Sequence, residues 1–272
     1  ISCYERAIDI KPKYTEAHKN LGFNLLLLGR IEDAKKCFEK ALVINPNYAE
    51  AHKNLGNVYK RLKQMDKAML SYQSAFNIKP DMEFLLGDIL NNKMHLCSWD
   101  DLPRLLNIAT MKIINNEKVV GPFSLLSLID DPELQKKTSE TFSNFYHPES
   151  YILPKIDPYP KHKRIRIGYF SGDFREHPVA YLTAELYELH DRDNFEIYAF
   201  SLGKDTNDEM NLRIKAGVDH FYDVRSMSHK EIAMLARSFE IDIAVDLAGL
   251  TAESRTDVFA MSAAPVQISY IG

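Results

Sequence analysis

Ala17-His18-Lys19-Asn20-Leu21-Gly22 recurs 34 residues on as Ala51-His52-Lys53-Asn54-Leu55-Gly56. The step holds beyond the two hexapeptides. Pro12, Pro46 and Pro80 keep it, as do Ala7, Ala41 and Ala75, and so does the aromatic set Tyr4, Phe38 and Tyr72. Self-similarity at this period marks stacked units that each bury a face on their neighbours. Small residues at fixed places let helices approach closely: Gly22 and Gly56 on a first helix, Ala34 and Ala68 on a second. Phe38 and Tyr72 fill the space between units, and Pro46 and Pro80 stop the second helix and turn the chain.

A period of about 34 with these small, aromatic and proline positions is the tetratricopeptide pattern. It predicts first helices over 15–28 and 49–62 and second helices over 31–44 and 65–78. The repeat region then spans 1–80, with a partial repeat at 1–14 and full repeats near 15–48 and 49–82. Residues 1–10 match only a second helix, so the chain is expected to begin inside a solenoid. Such arrays ordinarily need about three or more repeats, so this one is expected to come from a longer array. Asn20 and Asn54 hold equivalent places on the first helices. An amide offers a donor and an acceptor, as a peptide backbone does, so stacked copies can hold an extended chain without reading its sequence. On two copies alone, asparagine tolerated on an exposed helix face is the simpler reading.

Beyond Asp81 the 34-residue step is lost, and 81–146 reads as a helical connector packed on the last repeat. Helical pattern runs over Phe84–Leu90, Leu102–Ile114 and Pro132–Tyr146. Met94-His95-Leu96-Cys97-Ser98-Trp99-Asp100 interrupts it, with Trp99 expected as a packing anchor and Cys97 as a buried thiol. Pro148, Pro154, Pro158 and Pro160 preclude a helix over 147–163, predicting an extended linker. The basic run Lys161-His162-Lys163-Arg164 at its end is expected to do no more than solvate the start of a strand.

From Arg164 the texture alternates. Strands are predicted at Ile165–Phe170, Phe195–Phe200, His220–Tyr222, Ile241–Leu247 and Val266–Tyr270. Helices are predicted at Val179–His190, Asp208–Ala216, Ser228–Phe239 and Glu253–Met261. Alternating βα units imply a parallel, doubly wound lobe over 164–272, whose ligands sit beyond the carboxyl ends of the strands. Two loops there carry candidate chemistry. Ser171-Gly172-Asp173-Phe174-Arg175-Glu176-His177-Pro178 leaves the first strand, with Pro178 suited to a first helical turn. Asp246-Leu247-Ala248-Gly249-Leu250-Thr251 leaves the fourth, where backbone amides and Thr251 can meet an anion at a helix N-terminus. The bland alternatives stand beside these: His177 bracing its turn, and Thr251 capping a helix.

The bulk numbers narrow the classes. The net charge of −4 gives no polycation signature, so neither nucleic acid nor an anionic membrane is a favoured partner. No apolar run approaches the roughly 20 residues of a membrane span. Three scattered cysteines, Cys3, Cys37 and Cys97, give no zinc pattern and fit an intracellular, reducing compartment.

Taken in order, these features resemble the protein O-GlcNAc transferase family, in particular its bacterial and SPINDLY-like branches: tetratricopeptide array, connector with Met94–Asp100, Ser171-Gly172-Asp173-Phe174, His177-Pro178, Asp246-Leu247-Ala248-Gly249-Leu250-Thr251 and Ala264-Pro265-Val266-Gln267. The resemblance covers essentially the whole chain. It implies an inverting glycosyltransferase with two Rossmann-like lobes of GT-B type, the chain holding the first. Such an enzyme, cytoplasmic or nucleocytoplasmic, moves N-acetylglucosamine from UDP-GlcNAc to Ser or Thr hydroxyls of proteins without a cofactor or metal. It further implies that His177 is a catalytic residue at the active site and a candidate base, that Asp173, Pro178, Asp246, Gly249 and Thr251 belong to its donor and acceptor loops, and that Asn20 and Asn54 line a groove for substrate backbone. Other readings of the same architecture are a SPINDLY-type O-fucosyltransferase and a non-catalytic interaction protein with a degenerate lobe. Leu250 departs from the family, where many members carry histidine or an aromatic residue. Gly272 falls inside the next family motif, and a lobe expected beyond it would supply most nucleotide contacts. Residues 1–272 alone are therefore expected to bind UDP-GlcNAc poorly and to turn nothing over.

Overall fold

The computed structural model describes residues 1–251 and 254–271. It contains two compact units, Ile1–Phe142 and Ser143–Gly272.

The first unit is helical throughout. Helices α1 (Ser2–Ile10), α2 (Thr15–Leu27), α3 (Ile31–Ile44), α4 (Ala49–Arg61) and α5 (Met65–Ile78) follow the predicted repeat helices to within a residue. The period has direct structural counterparts. A Cβ on Gly22 would lie 2.9 Å from the Phe38 ring, and one on Gly56 would lie 2.5 Å from the Tyr72 ring. Both rings are fully buried, as are Ala34, Ala41, Ala68 and Ala75. The first helices turn into the second through the same hydrogen-bonded stop, 34 residues apart. Gly29 and Lys63 take left-handed backbone, and Arg30 and Gln64 donate back to the carbonyls of Leu25 and Tyr59; this is the Schellman arrangement. The repeated histidines have a shared role that the sequence reading passed over. Nε2 of His18 sits 2.9 Å from the Pro12 carbonyl and Nε2 of His52 2.8 Å from that of Pro46, which ties each first helix to the turn before it.

The connector comprises α6 (Leu85–His95), α7 (Leu102–Ile114), a short α8 (Pro122–Leu126) and α9 (Pro132–Tyr146). It does pack on the last repeat. Ala68, Tyr72 and Ala75 share one core with Leu85, Leu86, Leu90, Leu105, Ala109, Ile113 and Leu125. This covers the apolar face that a terminal repeat must otherwise expose.

Two expectations about the interruption are corrected. Cys97 is exposed, and Trp99 is 56% exposed rather than a packing anchor. The reason is a second use of the same helix stop: Cys97 takes φ 50°, Ser98 donates to the Lys93 carbonyl and Cys97 to that of Met94. The segment is a surface C-cap, usually marked by glycine.

In the second unit, β1 (Ile165–Ser171), β2 (Phe195–Ser201), β3 (His220–Asp223), β4 (Ile243–Asp246) and β5 (Val266–Ser269) form one parallel sheet in the order β3-β2-β1-β4-β5. Helices α10 (Pro178–Leu189) and α11 (Glu209–Gly217) share one core with the sheet, through Ala180, Tyr187, Met210 and Ile214. Helices α12 (His229–Ser238) and α13 (Asp257–Ala260) share the other, through Ile232, Ala236 and Val258. Helices on both faces of a parallel sheet make the doubly wound lobe expected from the alternation. Ser228 caps α12 in a reciprocal capping box with Glu231. The predicted helix over Glu253–Met261 is shorter: Glu253 lies outside the described residues, and the helix starts only at Asp257.

The proline-rich stretch is extended, but it is docked on the lobe rather than loose. His147 Nδ1 meets Asp257 at 2.7 Å, Ser150 donates to the Ala260 carbonyl, Arg237 donates to the Pro154 carbonyl, and Leu153 packs into the α12–α13 core. The basic run does more than solvate. His162 has Nε2 2.8 Å from Glu240 and Nδ1 3.1 Å from Asp242. Only the imidazolium can donate to both, and the hydrogen bond to Glu240 leads the effects that raise its pKa above the ordinary 6.5. A raised folded-state value stabilises fully below the unfolded value and is lost as pH rises through the folded one. The difference in urea midpoint between wild type and His162→Gln should therefore be largest near pH 6 and shrink toward alkaline pH. A difference that grows with pH would contradict this role.

Candidate functional site

In the sheet order β3-β2-β1-β4-β5, the chain winds one way from β1 and the other way from β4. The crevice beyond neighbouring β1 and β4 is thus the topological switch point, where doubly wound sheets bind ligands. Both candidate loops leave from those two strands.

After β1, Asp173 donates its amide to Ser171 Oγ at 3.0 Å, and the buried Phe174 anchors the turn in the α10–α11 core. His177 is the N-cap of α10 and Pro178 its first residue. The Val179 N–H donates to His177 Nδ1 at 3.3 Å, and Asp173 Oδ2 lies farther from the same nitrogen, at 3.6 Å. With Nδ1 accepting, the neutral ring carries its proton on Nε2. It therefore presents a donor outward. For Nε2 to accept a proton, Nδ1 must instead donate to Asp173, and Arg175 competes for that carboxylate at 3.1 Å. This geometry suits orientation of a ligand oxygen better than proton abstraction. The bland reading from sequence, a histidine bracing its turn, also holds; the two roles use different nitrogens.

After β4, the structure assigns Asp246 to the loop itself. Its Oδ1 accepts from the amides of Ala248 at 2.9 Å and Gly249 at 3.2 Å. The residue is 8% exposed, and burial pushes its pKa up against the opposing pull of the two amides. Gly249 takes φ 55°, a left-handed conformation that glycine adopts without a Cβ penalty. Thr251 Oγ1 donates to the Ala248 carbonyl at 2.8 Å. The expected anion site at a helix N-terminus is therefore corrected: the amides of Ala248 and Gly249 already have a partner, and Thr251 closes a turn instead of capping a helix. Asp246→Asn, which keeps an acceptor for both amides, should stay within about 1 kcal/mol of wild type, and Asp246→Ala should lose about 1–3 kcal/mol by leaving them unmet. Urea unfolding checks both; equal loss in the two variants would remove the loop-holding role.

A cavity of about 400 Å³ lies at this edge, lined by Gly172, Asp173 and Arg175, by Leu202, Gly203 and Lys204, by Arg225, and by Ala248, Thr251 and Ser254. It brings Asp173 and Thr251 together from the two loops. His177, Pro178, Asp246 and Gly249 are not among the residues that line it. The sequence reading missed Lys204 and Arg225. Asn20 and Asn54 lie in the other unit, half-buried on α2 and α4, helices that touch each other. Among the described residues no group of three or more His, Cys, Asp or Glu is placed to hold a metal, and no helix is long and apolar enough to cross a membrane.

The chain thus combines a tetratricopeptide solenoid with a doubly wound α/β lobe that carries a post-β1 histidine and a tight post-β4 glycine loop. Residues 140–272 match glycosyl transferase family 41, and residues 24–63 and 49–82 match tetratricopeptide repeat families. The chain is homologous to the O-GlcNAc transferase and SPINDLY proteins. It is 30% identical over 204 residues to the probable UDP-N-acetylglucosamine–peptide N-acetylglucosaminyltransferase SEC of Arabidopsis thaliana, covering 68% of this chain and 20% of that protein. It is 32% identical over 127 residues to the SPINDLY protein of Oryza sativa subsp. japonica, covering 45% of this chain and 13% of that one. A solved mutant of the Thermobaculum terrenum O-GlcNAc transferase matches 98% of this chain and 45% of its own, at 27% identity and TM-score 0.53. The chain thus spans a fifth or less of these curated relatives.

Proposed function

We propose that the whole protein transfers N-acetylglucosamine from UDP-GlcNAc to Ser or Thr hydroxyls of other proteins, with inversion at the sugar. The acceptor oxygen bonds to the anomeric carbon as the carbon–oxygen bond to the diphosphate breaks, UDP leaves with that bond's electron pair, and the hydroxyl proton passes to solvent. The observation that carries this is the meeting of the post-β1 and post-β4 loops at the switch point, in a chain homologous to peptide N-acetylglucosaminyltransferases. His177 Nε2 orients an oxygen of the reacting pair, Asp173 sets the ring's tautomer in competition with Val179, and Asp246 holds the Gly249–Thr251 loop.

The repeats take the protein substrate, with Asn20 and Asn54 engaging its backbone. Replacing both with Ala in the whole protein should reduce transfer to many protein substrates together, and should reduce transfer to a short peptide reaching only the active site much less. Equal loss on both, or loss on neither, contradicts the backbone clamp. Donor choice is tested by offering UDP-GlcNAc and GDP-fucose to the same protein and substrate. N-acetylhexosamine on Ser or Thr by mass spectrometry is the expected product, and transfer of fucose instead overturns the donor assignment.

A further inference from the structure

We propose that the cavity at the carboxyl edge of the sheet is a site for a phosphoryl oxyanion, formed by Arg175, Lys204 and Arg225. The pairing register places them together. Ser171 of β1 pairs with Ser201 of β2, and Ser201 pairs with Asp223 of β3. The three strands therefore end level, and within four residues of each end the chain places one cation. All three line the same cavity, in a protein whose net charge is −4.

Among the described residues, internal pairing leaves positive charge over. Asp173 is the one carboxylate in the wall among the described residues and binds Arg175 at 3.1 Å, and Asp223 binds Arg225 at 3.1 Å. Lys204 makes no ion pair or hydrogen bond among the described residues. The neighbouring carboxylates of the post-β2 loop have partners of their own: Asp205 pairs with Lys215 at 2.8 Å, though it also lies within the field of Arg225, and Asp208 accepts from the amides of Glu176 and Asn211. Arg175 keeps its Nε buried without a partner, so its guanidinium is not fully satisfied by the protein.

The floor is backbone. A Cβ on Gly203 would come within 1.9 Å of the Gly172 carbonyl oxygen, so the loops after β1 and β2 close on each other and bring their cations to one place. Forked guanidiniums and a lysine ammonium are the usual ligands of phosphoryl groups. Among the described residues the wall has no aromatic ring, and its larger apolar side chain is Leu202. It offers nothing on which a nucleobase stacks, so the group recognised is the oxyanion and not a nucleoside. This site stands whichever sugar the proposed transferase uses.

The test is calorimetric titration of the chain with inorganic pyrophosphate at low salt, compared with the double variant Lys204→Gln/Arg225→Gln. Both side chains are exposed and outside the core, so the variant should fold, and matching far-UV circular dichroism verifies it. Saturable 1:1 binding is expected, weakening as salt rises and at least about tenfold weaker in the double variant. Lys230→Gln, which removes one exposed charge away from the cavity, should bind as wild type. A phosphoserine peptide competing at least as well as pyrophosphate assigns the phosphoryl group to a protein ligand, and weaker competition assigns it to a small-molecule diphosphate. No saturable binding, or binding unchanged in the double variant, overturns the site.

Discussion

His177→Asn in the whole protein is expected to lower turnover by about 100-fold or more, within the range set by loss of a group acting on the reacting atoms, while the lobe keeps its stability. The substitution separates the two nitrogens of the ring. Nδ1 accepts the Val179 N–H and caps α10; an asparagine side-chain oxygen can take that place, and asparagine is a favoured N-cap. Nε2, the outward donor, has no counterpart in asparagine. His177→Ala removes both nitrogens and should add a stability loss of at most about 1 kcal/mol to the same rate defect. The pH–rate profile then separates orientation from proton abstraction. If His177 only orients, the slow variant keeps the wild-type acid limb; if it is the base, the limb disappears with the imidazole. Wild-type turnover in His177→Asn would reduce this residue to a helix cap and remove its loop from the active site.

The largest structural effect is expected from Gly203→Ala, with a loss of about 2 kcal/mol or more in lobe stability. The new methyl would meet the Gly172 carbonyl oxygen at 1.9 Å. Because the obstacle is backbone, no rotamer change relieves it, and overpacking of that kind costs about 1–3 kcal/mol or more. Gly172→Ala is the matched control. A Cβ there meets nothing within 4 Å, so the change should stay within about 0.5 kcal/mol, as for ordinary surface sites. Urea unfolding of the two variants gives the comparison. Similar stability for both would mean that the close approach of the two loops is not a feature of the folded lobe.

The reach of the sequence differs between the two units for physical reasons. In the repeats, one period fixes both helix length and partner, so the Gly56–Tyr72 packing could be inferred from residue sizes at a 34-residue step. The histidine tie to Pro12 and Pro46 carried the same signal in the same hexapeptides, but a polar side chain aimed at a carbonyl leaves no trace in apolar patterning. Cys97 and Trp99 were misjudged because the helix stop uses a left-handed cysteine where glycine would have announced it. Four prolines excluded a helix over 147–163, yet nothing local indicated that His162 would meet Glu240 and Asp242, nearly 80 residues away.

The site divides in the same manner. The post-β1 and post-β4 loops could be found because each joins a recognisable strand to a turn. The roles of their residues could not: Asp246 reads as a ligand in a list of polar residues, and becomes an internal acceptor once two amides are seen on it. Lys204 and Arg225 are ordinary surface cations in sequence. Only the register Ser171–Ser201–Asp223 brings them to one cavity with Arg175.

We propose that the whole protein is a peptide N-acetylglucosaminyltransferase whose chemistry runs at the β1–β4 edge. The most direct measurement is mass spectrometry of a protein substrate incubated with UDP-GlcNAc and the whole protein, wild type beside His177→Asn. N-acetylhexosamine on Ser or Thr with the wild type, and a loss of about 100-fold or more with the folded variant, is the predicted result. No transfer by the wild type, or equal transfer by both, would contradict it.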